Sequence, residues 1–465
     1  MLNRMITKKN AVIISAIAVL LYASLDMLFY LMDITVLRII AFAVIGIAVC
    51  FMIICCGTGK IRIGMGRNAV ILITFYAWYL IGCVVRNGLH QADFAELNRL
   101  PLMDTAVTLF LILPLGSFFA EEAPVSRTLS ILKHGILMGW SVFMLVVLIT
   151  VFRGGIIPTL NGGMIGMKDY QFLYLNCYYN TTGMIELVFT LLCFFMVIDS
   201  KPRVLKIIYI CLTLINFAVI TLSNSRTATY SAMIGIALMS GAWAYLSFLK
   251  RYAQPKRSLF AVGCAILSGL ILYLLRQGIF QWYLDTVKLF SGDVELTISG
   301  RIRDLSDSTV MTFTGRTDIW KYAIKGMVNN PYNAIFGVTP YGVIELITQI
   351  SDGKWDVYTH NQFLEIGVSN GFPGLILMGT WFVLLLKDIW KLVRNQKQYL
   401  AVFVSIIILT LGLANFFEAT LMYYGYIAGY LFFFLSGYIH GKAAKIDKER
   451  DRPKTPFLKK IYRSA

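Results

Sequence analysis

Apolar runs about 20 residues long recur along nearly the whole chain, and that is the length a helix needs to cross the hydrocarbon core of a bilayer. Twelve such runs are centred near residues 21, 46, 77, 112, 143, 190, 213, 238, 267, 375, 408 and 431. Composition agrees with this reading. Hydrophobic residues make up 58% of the 465 and charged residues 14%, against about 25% charged in soluble domains. Residues 11–31 form an apolar stretch longer than the roughly 7–15-residue core of a signal peptide, so the first run reads as an uncleaved helix. The expected fold is an all-α integral membrane protein of about 12 transmembrane helices.

The net charge of +17 is a matter of topology. The connectors Lys60 to Arg67, Lys201-Pro202-Arg203, Lys250 to Arg257 and Lys387 to Lys397 are short and basic, and so is the tail from Gly441 to Ala465. The connectors Arg86 to Asp104 and Arg153 to Asn180 are longer, carry Gly and Asn, and fall on the other side. Positive residues concentrate on cytoplasmic loops, so both termini are expected in the cytoplasm. No aromatic-and-basic recognition motif accompanies the charge, which argues against nucleic acid as a partner and leaves membrane lipid as one. Seven of the eight cysteines lie in or at the ends of apolar runs, where Cys acts as a small hydrophobe. Cys177 sits in an outer connector, within conceivable reach of Cys83, and Cys55-Cys56 lacks the spacing of a metal pair. No metal site is expected.

One polar segment, Arg276 to His360, interrupts the apolar pattern. By the charge rule it is one large external loop. From Thr317 to Asn329 the apolar residues Ile319, Trp320, Ala323, Ile324, Met327 and Val328 fall on one side, and Lys321, Lys325 and Asn329 on the other. That is an amphipathic helix, ended by Asn329-Asn330-Pro331, whose apolar face rests on the membrane surface or on the tops of the spanning helices.

Three basic residues stand out at the external boundary. Arg226 lies in Leu222-Ser223-Asn224-Ser225-Arg226-Thr227-Ala228, a tight turn between two apolar runs. It is either an arginine reaching headgroups from a helix end or a guanidinium set among small donors for a phosphate oxygen. Arg316 either pairs with Asp318 or another loop carboxylate, or serves an anion at the start of the amphipathic helix. His360 begins the run near 375, where Thr359 or Asn361 caps the helix; it is an interfacial residue or a proton acceptor near neutral pH. Glu365, Glu186 and Glu418 are ionisable residues within or at the ends of apolar runs, and such residues are functional candidates. His90 is external without a surrounding motif, and His134 and His440 fall on the cytoplasmic side.

Taken in order, Ser223 to Thr227, Thr314-Gly315-Arg316-Thr317-Asp318-Ile319-Trp320, Asn330-Pro331 to Phe336-Gly337, and Thr359-His360-Asn361-Gln362-Phe363-Leu364-Glu365 to Asn370-Gly371-Phe372-Pro373-Gly374 resemble the O-antigen ligase and polymerase superfamily. The resemblance spans roughly residues 205–385. It divides the chain into N-terminal membrane helices (1–204), a ligase- and polymerase-like core with the external loop (205–385), C-terminal membrane helices (386–440) and a basic cytoplasmic tail (441–465). It implies a bacterial inner-membrane glycosyltransferase that takes a glycan from a polyprenyl diphosphate carrier and passes it to a sugar hydroxyl. No cofactor and no metal is implied, and a chain-length regulator protein is a further partner. Arg226 and Arg316 inherit diphosphate binding and His360 inherits the acceptor hydroxyl; Ser225, Thr227, Asn361 and Glu365 stand beside them as substrate-binding residues.

Polymerase leads among the expected functions because polymerases of this superfamily serve capsules and secreted polysaccharides as well as lipopolysaccharide. A ligase acting on lipid A core shares the same motifs. A flippase or other transporter is the third reading, but transporters gather their charges near the bilayer midplane, whereas these collect at the external rim.

Overall fold

The computed structural model describes isolated positions between 17 and 47, then residues 66–90, 101–121, 127–152, 157–158, 164–168, 171–173, 179–223, 225–248, 252–291, 315–394, 399–423 and 426–450. Its helices are α1 (Gly66–His90), α2 (Pro101–Ala120, with a π-helical turn at Thr108–Ile112), α3 (Arg127–Phe152), α4 (Tyr179–Asp199), α5 (Arg203–Leu222), α6 (Arg226–Ser247) and α7 (Gln254–Ser291). There follow α8 (Arg316–Val328), α9 (Pro331–Phe336), α10 (Thr339–Ile350), α11 (Gln362–Arg394), α12 (Tyr399–Ala414) and α13 (Ile427–Arg450).

Among the described residues, six helices are long and apolar enough to cross a membrane, at 68–86, 101–120, 180–199, 203–222, 254–282 and 362–394. They account for the runs near 77, 112, 190, 213, 267 and 375. Shorter apolar helices occupy 133–149 and 399–414, matching the runs near 143 and 408, while those near 238 and 431 fall on α6 and α13. The runs near 21 and 46 lie almost wholly outside the described residues, as do Cys177 and the stretch 292–314 of the polar segment.

Two features differ from the expectation. The segment Ile157 to Leu173 forms a small antiparallel sheet, β1 (Ile157–Pro158), β2 (Met164–Lys168) and β3 (Gln171–Leu173), in the order β1-β2-β3. The fold is thus helical with one three-stranded insert. The polar segment also does not begin as a loop at Arg276, because α7 runs on to Ser291. Arg276 is buried with its guanidinium 5.5 Å from the Tyr230 ring centroid of α6, and Gln281 donates to Asp285 one turn later at 3.0 Å. Such contacts sustain a helix that loses its apolar periodicity.

Small residues set the packing, as expected where helices associate without a strong hydrophobic drive between them. A Cβ on Gly116 of α2 would come within 1.8 Å of the Phe434 carbonyl oxygen of α13, and one on Gly437 within 1.8 Å of that of Leu113. On α6 the buried face is largely small: Ala228, Ser231, Ala232, Gly235, Gly241 and Ala244. A Cβ on Gly235 would meet Leu191 of α4 and Thr410 of α12 within about 3 Å, so this face packs closely against its neighbours, while Ile234, Leu238 and Trp243 of the same helix are exposed.

The amphipathic segment folds as its spacing predicts. Ile319, Ala323 and Met327 of α8 pack with Val338, Val343 and Ile347 around α10 and with Val368 of α11, forming a separate small core over one end of the bundle. Below it α11 bends at Gly371 (φ 69°, ψ −175°), two residues before Pro373. Helix α9 seats its carbonyls in that bend. A Cβ on Gly371 would lie 2.2 Å from the Ile335 carbonyl oxygen, and one on Gly337 (φ 72°) 2.2 Å from the Ser369 carbonyl carbon. Only glycine satisfies both the backbone angle and the approach. Arg86, at the end of α1, locks the joint by donating from Nε to the Gly337 carbonyl at 3.0 Å and from its guanidinium to Asn333.

Candidate active site

The site is built on helix ends that meet beneath the small α8–α10 core. Gly315, in the left-handed region (φ 75°), turns the chain into α8, and a Cβ there would strike the Trp355 ring at 2.4 Å. Arg316 is therefore the first residue of α8, and its side chain reaches down between the helices. Nη2 pairs with Glu418 Oε1 at 2.6 Å, and Nη1 stands 3.5 Å from Thr227 Oγ1. The expected partner among loop carboxylates is replaced by a residue that is completely buried. The Arg316 side chain is 18% exposed and that of Glu418 is 0% exposed.

Thr227 belongs to the first turn of α6, directly after Arg226. Ser225 is the N-cap residue by backbone angle (φ −78°, ψ 97°), but its side chain makes no cap bond. Its Oγ is buried and has no hydrogen-bond partner among the described residues. Gly183 of α4 allows the close fit, since a Cβ there would lie 2.5 Å from that of Ser225. Arg226 is half-buried at this helix start, where exposed backbone N–H groups and the helix dipole favour an anion.

His360 occupies the left-handed region with φ 51°, a conformation that costs a non-glycine residue about 1 kcal/mol or more and must be held by its surroundings. The holders are specific. Glu365 Oε2 accepts from the Thr359 backbone N–H at 3.1 Å and from its hydroxyl at 2.7 Å. Trp320 Nε1 donates to the Thr359 carbonyl at 2.9 Å. Asn361 caps α11, its Oδ1 accepting from the N–H groups of Phe363 and Leu364 at 3.0 Å each. The ring of Tyr358 lies 4.3 Å from that of His360.

The imidazole Nδ1 faces Glu418 Oε2 at 3.3 Å. A carboxylate only accepts, so this contact calls for a proton on Nδ1, and the lone pair of the neutral ring is then on Nε2. Glu418 thus touches both cationic residues, Arg316 with one oxygen and His360 with the other. Its own position is fixed from α11. Gln362 donates its backbone N–H to the Asn415 carbonyl at 2.9 Å, and its Oε1 accepts from the N–H groups of Leu421 and Met422 at 2.8 and 3.2 Å. Asn415 Oδ1 ties down Thr420 from the other side.

The structure therefore brings Arg316 and His360 together through Glu418, and Thr227 to them through Arg316, with Arg226 and Ser225 at the adjoining helix start. Asn361 and Glu365 act on the backbone around His360. Sequence reasoning ranked Glu418 no higher than Glu186, because both are carboxylates near the ends of apolar runs. The structure separates them: Glu186, also buried, accepts from Trp140 Nε1 at 2.8 Å. Of the other histidines, His134 meets the Tyr209 hydroxyl and His440 pairs with Asp388 at 2.7 Å.

Apolar helices of spanning length, capped at one end by a cluster of arginine, histidine and buried carboxylate, define a multi-pass membrane protein with a polar site at the ends of its helices. Residues 210–379 match the family model for O-antigen ligase, and this stretch carries the domain of the O-antigen ligase and polymerase superfamily. A search of curated proteins gives no match. The family indicates glycan transfer of the O-antigen ligase type by a membrane glycosyltransferase, with a lipid-linked glycan as donor and a glycan as acceptor. Arg226, Arg316 and His360 lie within the matched stretch and Glu418 lies beyond it.

Proposed function

We propose that this protein is a polysaccharide repeat-unit polymerase. It transfers a glycan from a polyprenyl diphosphate carrier to a sugar hydroxyl of a second carrier-linked unit, at the outer face of a bacterial plasma membrane. The observation that carries the reading is the Arg316–Glu418–His360 bridge beside the start of α6. It sets cations for a diphosphate next to a residue that can take a proton.

In this reading Arg226 and Arg316 bind the diphosphate, aided by the N–H groups of the first turns of α6 and α8. The acceptor O–H gives its proton to His360 Nε2 as its oxygen bonds to the anomeric carbon. The bond from that carbon to the phosphate oxygen breaks, and the electron pair leaves on the polyprenyl diphosphate, where the two guanidiniums stabilise the developing charge. Attack in a single step inverts the anomeric centre. The proton on His360 passes to solvent, which the partly exposed ring permits.

The family description itself favours a second reading, a ligase that uses the same site with lipid A core as acceptor. The two are separated by supplying purified protein with a carrier-linked donor and either acceptor. Chain growth on carrier-linked units alone is the expected result. Transfer to lipid A core alone would make the protein a ligase, and no transfer to either would sink glycan transfer as its function.

A further inference from the structure

The bridge at Glu418 has a chemical asymmetry. A fully buried carboxylate is divided between a permanent cation, Arg316 at 2.6 Å, and a group whose charge depends on a proton, His360 at 3.3 Å. A buried carboxylate cannot stay ionised at low cost without a cationic partner. While Arg316 holds it, that need is met. An anion that draws Arg316 away leaves the carboxylate facing His360 alone, so that the need is met only as the ring takes a proton from the acceptor.

We infer that Glu418 is a positioning residue with two successive partners: it holds Arg316 while the donor site is empty, and turns its charge to His360 once a diphosphate has taken Arg316. This rests on the diphosphate reading given above. The groups around His360 fit the exchange. Arg316 approaches from α8, Glu418 from the loop after α12, and Tyr358 from its own turn, while Glu365 of α11 is engaged with Thr359. Thr227 on α6 already stands at Arg316 Nη1, with Arg226 next to it in sequence, so the guanidinium need only turn toward that helix start to meet a shared anion. Donor binding would then leave the Glu418 carboxylate facing His360 alone, where it orients Nδ1–H and stabilises the imidazolium that forms as the acceptor gives up its proton.

The exchange predicts effects of opposite sign from one substitution. Glu418→Gln keeps the size of the side chain and removes the charge that competes with phosphate for Arg316. Affinity for polyprenyl diphosphate, measured by calorimetry on the full-length protein in detergent, should rise by about tenfold, the effect of about one unit of charge interaction. Turnover should fall by about 10²-fold, because His360 loses the carboxylate that orients Nδ1 and stabilises the imidazolium. Glu418→Asp, which keeps the charge, should bind no tighter than wild type.

A structural post would instead weaken binding and turnover together in Glu418→Gln, and that result would overturn the inference. So would unchanged affinity. Wild-type protein that does not bind polyprenyl diphosphate at all would overturn the donor assignment, and the inference with it.

Discussion

Two histidine–carboxylate pairs mark the two ends of the same helix. His360 stands just before α11 and faces Glu418 at 3.3 Å; His440 of α13 faces Asp388, near the far end of α11, at 2.7 Å. The pairs are separated by roughly 39 Å if α11 is counted as a straight helix. By distance alone the second pair is the better one. Yet the His440 side chain is 1% exposed, with Trp381 edge-on at 5.9 Å and the Asn68 amide 2.8 Å from Nδ1. Its Nε2 is buried and has no hydrogen-bond partner among the described residues. The His360 side chain is 19% exposed, and its carboxylate is shared with an arginine. A histidine and a carboxylate in contact make a helix tie. Access for a substrate and a second cation on the same carboxylate are what turn such a pair into a site.

The comparison is broken most severely through the arginines: Arg316 sits on the carboxylate that faces His360, whereas at the other end Lys391 pairs with Asp447 and Arg394 lies over Trp390. Arg316→Ala and Arg226→Ala should each abolish polymer formation while the protein still inserts and accumulates in the membrane. Arg316→Lys should restore only part of the activity, since an ammonium lacks the planar fork that holds two phosphate oxygens. The double variant should be little worse than either single one if both residues hold one diphosphate. Polymer length and yield in cells, normalised to membrane-inserted protein, are the measurement. Normal polymer from Arg316→Ala would reduce the residue to a clamp on Glu418.

The next effect is that of His360. His360→Ala should lower turnover by about 10²–10⁴-fold, the usual scale for a general base, while binding of the carrier-linked donor survives. His360→Gln retains a hydrogen-bonding group near Glu418 but cannot take a proton, so its rate should match that of Ala. Transfer between purified polyprenyl-diphosphate glycans, with donor binding followed separately, decides the matter. Near-normal rates in His360→Gln would show that the residue only orients the acceptor.

How far the sequence foretells this site depends on the range of each contact. The amphipathic α8 was legible because its spacing repeats within 13 residues and Asn330-Pro331 ends it. The cap at Asn361 and the arginines at two helix starts were legible for the same reason: each is a local pattern with a mechanism. Glu418 was not, since 58 residues separate it from His360 and 102 from Arg316. Nothing in its own neighbourhood distinguishes it from Glu186. The extension of α7 was hidden by its polarity, because a helix that leaves an apolar environment loses the pattern by which it is recognised. The fit of α9 into the bend at Gly371 appeared in the sequence only as glycines and prolines at fixed places. Their reason, carbonyls approaching where no Cβ fits, is a contact between segments more than 30 residues apart.

The smallest expected effect on catalysis sharpens the comparison most, because it comes from the better-formed pair. His440→Gln removes the ring that joins α13 to Asp388 of α11 and to Asn68 of α1. Breaking a fully buried ion pair costs about 3–5 kcal/mol. Here the Asp388 side chain is 24% exposed and can recover water, and glutamine can still donate to it. The loss should therefore be nearer to about 1–2 kcal/mol, the value of a hydrogen bond to a charged group. It would appear as a lower melting temperature in detergent. Turnover per folded molecule should stay within about twofold of wild type, because stability effects at distant sites without shared partners stay separate. Measuring melting and transfer on the same preparation distinguishes the two roles. If His440→Gln melted normally and lost transfer as His360→Gln does, the two ends of α11 would be equivalent, and the site placed at the starts of α6, α8 and α11 would be in the wrong half of the molecule.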